Sequence, residues 1–466
     1  MAERHTARGY WLEEAGPPEP LAPLEGELEA DAVVVGGGYT GLWTAWCIGE
    51  AEPDARVVLL EAEGCGTGPS GRNGGFVNAM SFSLPSMIER FGDEAALRLA
   101  RAAREAVRGV GRWCEEQGID AWYHAGGYLQ VSSTPAHDGD RDRVIAAWRR
   151  HGEPDECVPL DSEQVRARCA SPLFRGAAFY EDAATVQPAR LALGLRARLV
   201  ERGAAVHEGS RVRRLEATPG GVVAETERGR VRARTAVLAV GAAASGVGPL
   251  RRRLTVTSSH MVITEPVPDV LAEIGWTGGE SITDSRALIH YFRTTPDGRI
   301  AFGWGGGKVA PGARVRRRAE LDRSVIAEVE RALVRFFPAL AGRRIEHAWG
   351  GPIDVSPSHL PFAGSLGDGR VHFGLGYTGN GVGPSHLVGR ILASLALGRR
   401  DEWTALPLVE PPPIRVPPEP LRYVGGAIVR RALLRKERLE HDGRAADPLT
   451  RAVAGLPERL GIHIGR

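Results

Sequence analysis

Four apolar residues, Ala32-Val-Val-Val35, run into three glycines and then Tyr39-Thr-Gly-Leu-Trp-Thr-Ala45, where apolar positions recur at helical spacing. A short apolar run closed by glycine predicts a buried strand, and the pattern behind it predicts the start of a helix. A second apolar run, Val57-Val-Leu-Leu60, ends on Glu61. Residues 97–113 carry arginines and alanines at helical spacing and predict an amphipathic helix. Residues 125–132, 261–264, 287–292 and 299–302 predict strands of a second sheet, with Pro296-Asp-Gly298 as the turn between the last two. Residues 410–420 are too rich in proline for a helix or a central strand and predict an extended tether. Beyond it, residues 427–438 form a basic helix with an apolar stripe, suited to a membrane surface or a partner and more readily to the chain's own surface.

Strand, glycine turn, helix, second strand and terminal acid, in that order, point to a dinucleotide site. Gly36 permits the tight turn, Gly38 lets backbone approach a pyrophosphate, and Gly41 lets helix pack on strand. The phosphates then lie at the helix start, by Tyr39 and Thr40, where free N–H groups and the helix dipole favour negative charge. Glu61, twenty residues after Gly41, is placed to accept hydrogen bonds from ribose hydroxyls, with Ala62 beside it; an acid there disfavours NADP.

Residues 64–76 hold six glycines in thirteen positions, too many for a crossover helix and suited to backbone wrapped around a rigid ligand. The run Ser70-Gly-Arg72-Asn73-Gly74-Gly75-Phe76 resembles the second glycine-rich loop of the FAD-dependent glycine and D-amino-acid oxidase-like (DAO) flavoproteins, most of all their gamma-glutamylputrescine oxidoreductase branch. The resemblance extends over residues 28–405. It implies a backbone contact from Val212 to adenine and a strand, 236–241, reaching the ribityl chain at Gly241. It also implies a loop, Tyr377-Thr378-Gly379-Asn380-Gly381-Val382, that brings N–H groups to the flavin pyrimidine, and a tryptophan-glycine turn at Trp349 to Pro352, including Gly351. The implied fold is α/β, or α+β taken as a whole: a Rossmann-like FAD domain (28–84, 165–250, 345–405) interleaved with a mixed-sheet substrate domain (85–164, 251–344). The tether and helical tail occupy 406–466.

Composition narrows the class further. A chain of 466 residues, 43% hydrophobic and 25% charged, buries more than one core. The net charge of +2 favours no nucleic-acid partner, and almost every basic residue is arginine, with lysine only at 308 and 436. Five cysteines without CxxC spacing suggest neither a disulfide framework nor a zinc site, so no metal is expected and a reducing cytoplasm is. The polar, acidic first twenty residues do not resemble a signal peptide, and no apolar stretch is long enough for a membrane span.

Flavin oxidation of an amine asks little of the protein beyond a dry pocket, an aimed C–H bond and hydrogen bonds to the reduced ring. No HExxH, GxSxG or Ser/His/Asp signature competes with that chemistry. Tyr291, Arg293, Trp304, His359, Tyr377 and Asn380 are the candidates for the pocket. Tyr291 and Arg293 share one face of their strand, and a buried arginine fork there suits a carboxylate or a phosphate, with a surface ion pair as its plainer use. His260, His290, His359 and His386 are candidate proton acceptors, although each reads more readily as a structural histidine.

Two departures from sarcosine oxidase-like members refine the expectation. No lysine occupies residues 299–302, where those members place one over the flavin, and no arginine follows the glycine-rich loop in Phe76-Val-Asn-Ala-Met80. An amine whose acidic group lies far from its nitrogen is favoured over glycine or sarcosine. The cofactor is expected to be noncovalent FAD. The expected reaction is hydride transfer from the carbon beside a primary or secondary amine, imine hydrolysis, and reoxidation by O2 or another acceptor. The alternatives are a flavin dehydrogenase or hydroxylase on a nonamine substrate, or a nonenzymatic FAD-bound subunit whose tail docks a partner. Oligomeric state is not legible.

Overall fold

The computed structural model describes residues 4–5, 8–314 and 320–463. Its first large sheet is built on four parallel neighbours, in the order Gly229–Leu238, Gly26–Val35, Val57–Leu60 and Ala205–His207. The antiparallel strands Arg214–Thr218 and Gly221–Glu225 extend one edge, and Val371–Leu375, paired with Phe362–Leu366, joins alongside Leu238. Strands buried on both faces read as continuous apolar runs, which is why Ala32 to Val35 shows no polar alternation. Ala32 and Val34 pack against the helices Tyr39–Ala51 and Val382–Ala396, while Val33 and Val35 pack on the opposite face.

The second sheet has nine strands, in the order Arg4–His5, Ile345–Val355, Thr255–Thr264, Ile300–Trp304, His290–Thr294, Ser281–Asp284, Tyr128–Ser132, Gly176–Tyr180 and Val158–Leu160. Strands Gly176–Tyr180 and Ile345–Val355 lie here although their residues fall in ranges expected for the flavin half; Ile345–Val355 pairs along its whole length with Thr255–Thr264. One face carries an aromatic cluster of Phe174, Trp276, Phe292, Phe302, Phe336 and Phe337, covered by the helix Arg323–Phe336. The other face presents Met261, Tyr291 and Ala301.

The amphipathic pattern at 97–113 sits inside a longer helix, Asp93–Glu116, which buries Ala96, Ala100, Ala103 and Ala106. Pro296 to Gly298 does turn the chain between His290–Thr294 and Ile300–Trp304. The run expected as a strand from 287 pairs only from His290. Its start is taken up by a turn closed by the buried Asp284 carboxylate, which accepts from the backbone N–H of His290 at 2.9 Å.

The proline-rich tether is pinned rather than free: Val416 N–H donates to Arg252 O at 3.0 Å, and the buried Arg422 guanidinium donates to Arg251 O and Leu254 O. The tail helix, Leu421–His441, buries Val429 and Leu433 with Ala454 against Ala287 and Leu288. Among the described residues no helix is long and apolar enough to cross a membrane.

That docking contains a titratable group. Glu437 is 5% exposed, accepts from Leu288 N–H at 3.0 Å, and burial pushes its carboxyl up to about 7. Below pH 4.5 the carboxyl is protonated folded or unfolded; between 4.5 and 7 only the unfolded chain gives up its proton, so folding loses about 3 kcal/mol as pH rises through that window. Glu437→Gln keeps an oxygen for Leu288 and removes the titration. In thermal unfolding followed from pH 5 to pH 8, the variant gains on the wild type as pH rises; a constant difference shows the carboxyl is not held neutral.

Candidate active site

Between the two sheets lies one cavity of about 1380 Å³, larger than the ~300–1,000 Å³ of an ordinary ligand pocket and roomy enough for a dinucleotide and a second molecule. Its floor is the glycine turn. A Cβ on Gly36, whose φ is +112°, would stand 2.4 Å from Ala239 O, and one on Gly41 would stand 1.9 Å from Gly36 O. Gly38 begins the helix and would carry a Cβ 2.9 Å from Ser70 Oγ, the hydroxyl that accepts from Tyr39 N–H. Side chains at the first two positions would collide with backbone, and one at Gly38 would fill the space where a pyrophosphate needs to approach. The cradle therefore fits the diphosphate of FAD.

Glu61, at the end of the second strand, accepts from Gly37 N–H at 2.6 Å and from Glu63 N–H at 2.9 Å, so it braces the turn while facing the cavity with Ala62. The second glycine-rich loop supports itself through Asn73, which accepts from Gly75 N–H at 2.7 Å and donates to Ser70 O at 2.8 Å. Ser70, Arg72, Asn73, Gly74 and Phe76 line the cavity, as do Val212 and Gly241 on the far side. Gly41 and Gly75 do not: Gly41 is the contact of helix on turn, and Gly75, at φ +72°, is the close approach of the loop to Val186 O.

The third wall is the end of the strand Ile345–Val355, from Gly351 to Asp354, with the loop Tyr377, Thr378, Gly379, Asn380, Gly381 and Val382, all facing the cavity. Asp354 holds this loop. Its carboxylate accepts from Gly376 N–H at 2.6 Å, its carbonyl accepts from Thr378 N–H at 3.0 Å, and burial pushes its carboxyl up to about 6. Thr378 is kept at φ +54°, and Tyr377 OH meets Thr40 Oγ1 at 2.7 Å, which ties this loop to the glycine turn. The loop ends at the N-terminus of the helix Val382–Ala396, whose dipole places positive potential on that wall.

On the substrate sheet, Tyr291 lines the cavity, its hydroxyl 2.7 Å from Ser259 Oγ and its ring edge-on to Phe76 at 5.9 Å; burial keeps the phenol protonated. His359 also lines it, at φ +58°. Arg293 and Trp304 do not reach it. Arg293 lies on the face expected but is 1% exposed. It donates to Thr294 O, Gly75 O and Val186 O beside the Trp11 ring, so its fork ties loop backbone and does not grip a ligand. Trp304 points to the other face, stacked on His290 at 6.1 Å, with its N–H on Leu288 O at 2.9 Å. Trp349 is wholly buried against Trp11 and donates to Arg72 O, a core residue whose glycine neighbours line the cavity.

The remaining histidines are structural. His260 Nε2 accepts from Asp322 N–H, His290 pairs with Asp284 at 2.7 Å, and His386 Nδ1 donates to Ala106 O; none lines the cavity, and burial pushes all three down, His260 and His386 to about 4. The five cysteines are buried and unpaired.

Sequence reading missed Asp354, Ser259, Met261, Leu288, Gly305 and Gly307, and the whole tail, in the cavity lining. The glycine run at 305–307 was the available signal, since a Cβ on Gly307 would stand 1.9 Å from Ser258 O. Tail residues Val416, Leu421, Gly425, Val429, Arg430, Leu433, Leu456 and Leu460 also line the cavity.

The fold matches solved flavoenzymes. Glycine oxidase from Geobacillus kaustophilus superposes with a TM-score of 0.66 at 22% identity, covering 80% of this chain and 96% of that one. L-proline dehydrogenase from P. horikoshii gives 0.66 at 19%, covering 82% of this chain and 96% of that one. In sequence, the probable oxidoreductase OrdL of Rhizobium meliloti (strain 1021) is 32% identical over 440 residues, 91% of this chain and 95% of that protein. Gamma-glutamylputrescine oxidoreductase of Escherichia coli (strain K12) is 31% identical over 404 residues, 86% and 91% respectively. The family described as FAD dependent oxidoreductase (DAO) matches residues 31–395. The chain belongs to the DAO family of FAD-dependent oxidoreductases, and FAD is its cofactor.

Proposed function

We propose that this oxidoreductase acts on a small-molecule amine, taking hydride from the carbon next to a primary or secondary nitrogen; the imine then hydrolyses to an aldehyde or keto product. The observation that carries the reading is the single cavity that runs from the glycine turn to the Tyr291 wall. FAD, bound noncovalently, supplies the two-electron acceptor, and O2, reduced to H2O2, or another acceptor takes the electrons on. Gly36, Gly38, Glu61 and the loops 70–76 and 377–382 are the residues to hold it, and the potential at the helix Val382–Ala396 favours the negative charge that comes with reduction. Met261, Leu288, Ile289 and Tyr291 make the substrate wall largely apolar, which favours a neutral amine with its lone pair available over the ammonium ion. The protonated Tyr291 and Ser259 offer a hydrogen-bonded pair to orient it. Relatives named for gamma-glutamylputrescine, glycine and L-proline all point to amino compounds. The five free thiols suit a reducing cytoplasm.

The test is anaerobic bleaching of the yellow holoprotein by polyamines, gamma-glutamyl amines, aminoalkylphosphonates and amino acids, followed by air. One class is expected to bleach the flavin, and the speed of colour return separates oxidase from dehydrogenase. An FAD-loaded protein that no amine bleaches overturns the reading.

A further inference from the structure

Arg430 projects from the tail helix into the wall of the cavity. Its Nε donates to Gly306 O and Gly307 O at 2.9 Å, and its Nη2 donates to Gly306 O at 2.5 Å. The Trp304 ring lies 6.0 Å from the guanidinium carbon. These contacts fix the plane of the guanidinium and leave the Nη1 hydrogens without an acceptor among the described residues. Among the described residues no carboxylate pairs with it directly: carbonyl dipoles are its hydrogen-bond partners, and Asp322, whose charge acts on it, is held by Lys308 at 2.8 Å and Ser324 at 2.6 Å. Burial disfavours the charged form of Arg430, a cost that an anion in the cavity would offset.

The other arginines of the cavity are differently placed. Arg72 pairs with Glu320 at 3.2 Å, Arg211 with Glu63 at 3.6 Å, Arg214 with Glu216 at 2.5 Å and Arg422 with Glu419 at 2.8 Å. Arg213 is exposed beside Val212, at the end of the cavity assigned to adenine. Arg430 instead meets the cavity at Gly307, in the segment that leaves the strand Ile300–Trp304, which pairs with the strand that carries Tyr291. Arg293, the residue whose type and strand face suggested anion binding, is sealed in the core.

We propose that Arg430 binds an anionic group, a carboxylate in the first instance, carried by the substrate at the end remote from its reacting amine. The tail helix thereby supplies a specificity-determining residue for the cavity. This rests on the amine reading of the site for the identity of the other end of the ligand, and on the cavity alone for the anion. A guanidinium fork held from one edge presents its free N–H groups as a planar pair, the geometry that suits a carboxylate.

Two probes test it: 1,4-diaminobutane acylated on one nitrogen with succinic acid, which ends in a carboxylate, and the same diamine acylated with butanoic acid, which is uncharged and of similar length. Binding of each to the FAD-loaded protein is measured by calorimetry under anaerobic conditions. The carboxylate probe is expected to bind about ten- to a hundredfold more tightly than the neutral one, the range for a charge-assisted hydrogen bond. Arg430→Gln is expected to remove the difference, leaving the neutral probe's affinity unchanged, and Arg430→Lys to retain part of it. Equal binding of the two probes by the wild type, a preference that survives Arg430→Gln, or loss of both affinities together overturns the proposal; the last outcome makes Arg430 a brace for the tail. If the preference follows Arg430 while no amine bleaches the flavin, the anion site stands and the amine reading fails.

Discussion

Gly41→Ala protein is expected to purify colourless. A Cβ at this position would stand 1.9 Å from Gly36 O and 3.2 Å from Val34 Cγ1. The nearer atom is backbone of the glycine turn, in a residue whose own φ of +112° admits no substitute conformation for a bulkier side chain. Relief requires the helix Tyr39–Ala51 to lift from the strand Gly26–Val35, which opens the floor of the FAD site. Overpacking of this kind costs about 1–3 kcal/mol when side chains give way, and more when backbone has to. We expect FAD affinity to fall by about a hundredfold or more, read as the flavin-to-protein absorbance ratio after dialysis and as the dissociation constant on reconstitution. Retention of stoichiometric FAD by Gly41→Ala shows that the helix can shift without opening the cradle.

The second large effect is at Arg293. Arg293→Leu is expected to be strongly destabilised, by about 3–5 kcal/mol, and to lose FAD as a consequence. The guanidinium is fully buried, and its removal strands the carbonyl of Val186 and takes a second donor from Gly75 O, which keeps only the Val186 N–H at 2.8 Å. Gly75 sits at φ +72° with its N–H on Asn73, so the glycine-rich loop loses the clamp on one side of its tightest point. Arg293→Lys, with a point charge in place of a fork, is expected to fall between. A ligand-gripping arginine predicts the opposite signature, a protein of normal stability and flavin content with a raised KM. Urea unfolding and flavin content separate the two.

What could be read from the chain follows from how local each feature is. The glycine turn, Glu61 and the loop 70–76 are contiguous segments whose geometry is dictated by missing side chains, so spacing alone announces them. The period-2 alternation that put Tyr291 and Arg293 on one strand face was equally legible. Alternation gives the face but not the depth: two residues along the same strand separate a cavity wall from a sealed core, and Trp11, which decides it, comes from the far N-terminal helix Tyr10–Glu14. Trp304 illustrates the same limit, because its surroundings depend on pairing not only with His290 across the local hairpin but with His260, which is remote in sequence. The tail was invisible as a site component because nothing local in residues 421–441 distinguishes a helix that closes its own cavity from one that covers other surface. Only the meeting of Arg430 with Gly306 and of Glu437 with Leu288 does so.

The tail's position also divides the molecule into two parts that can change independently. The family match ends at residue 395, and the cofactor cradle lies within it, while the cavity lining continues to His463. Exchange of a few residues between 416 and 463 would reshape the entrance and leave the redox machinery untouched. For protein engineering, this makes the tail the natural segment to randomise when a new substrate is to be admitted.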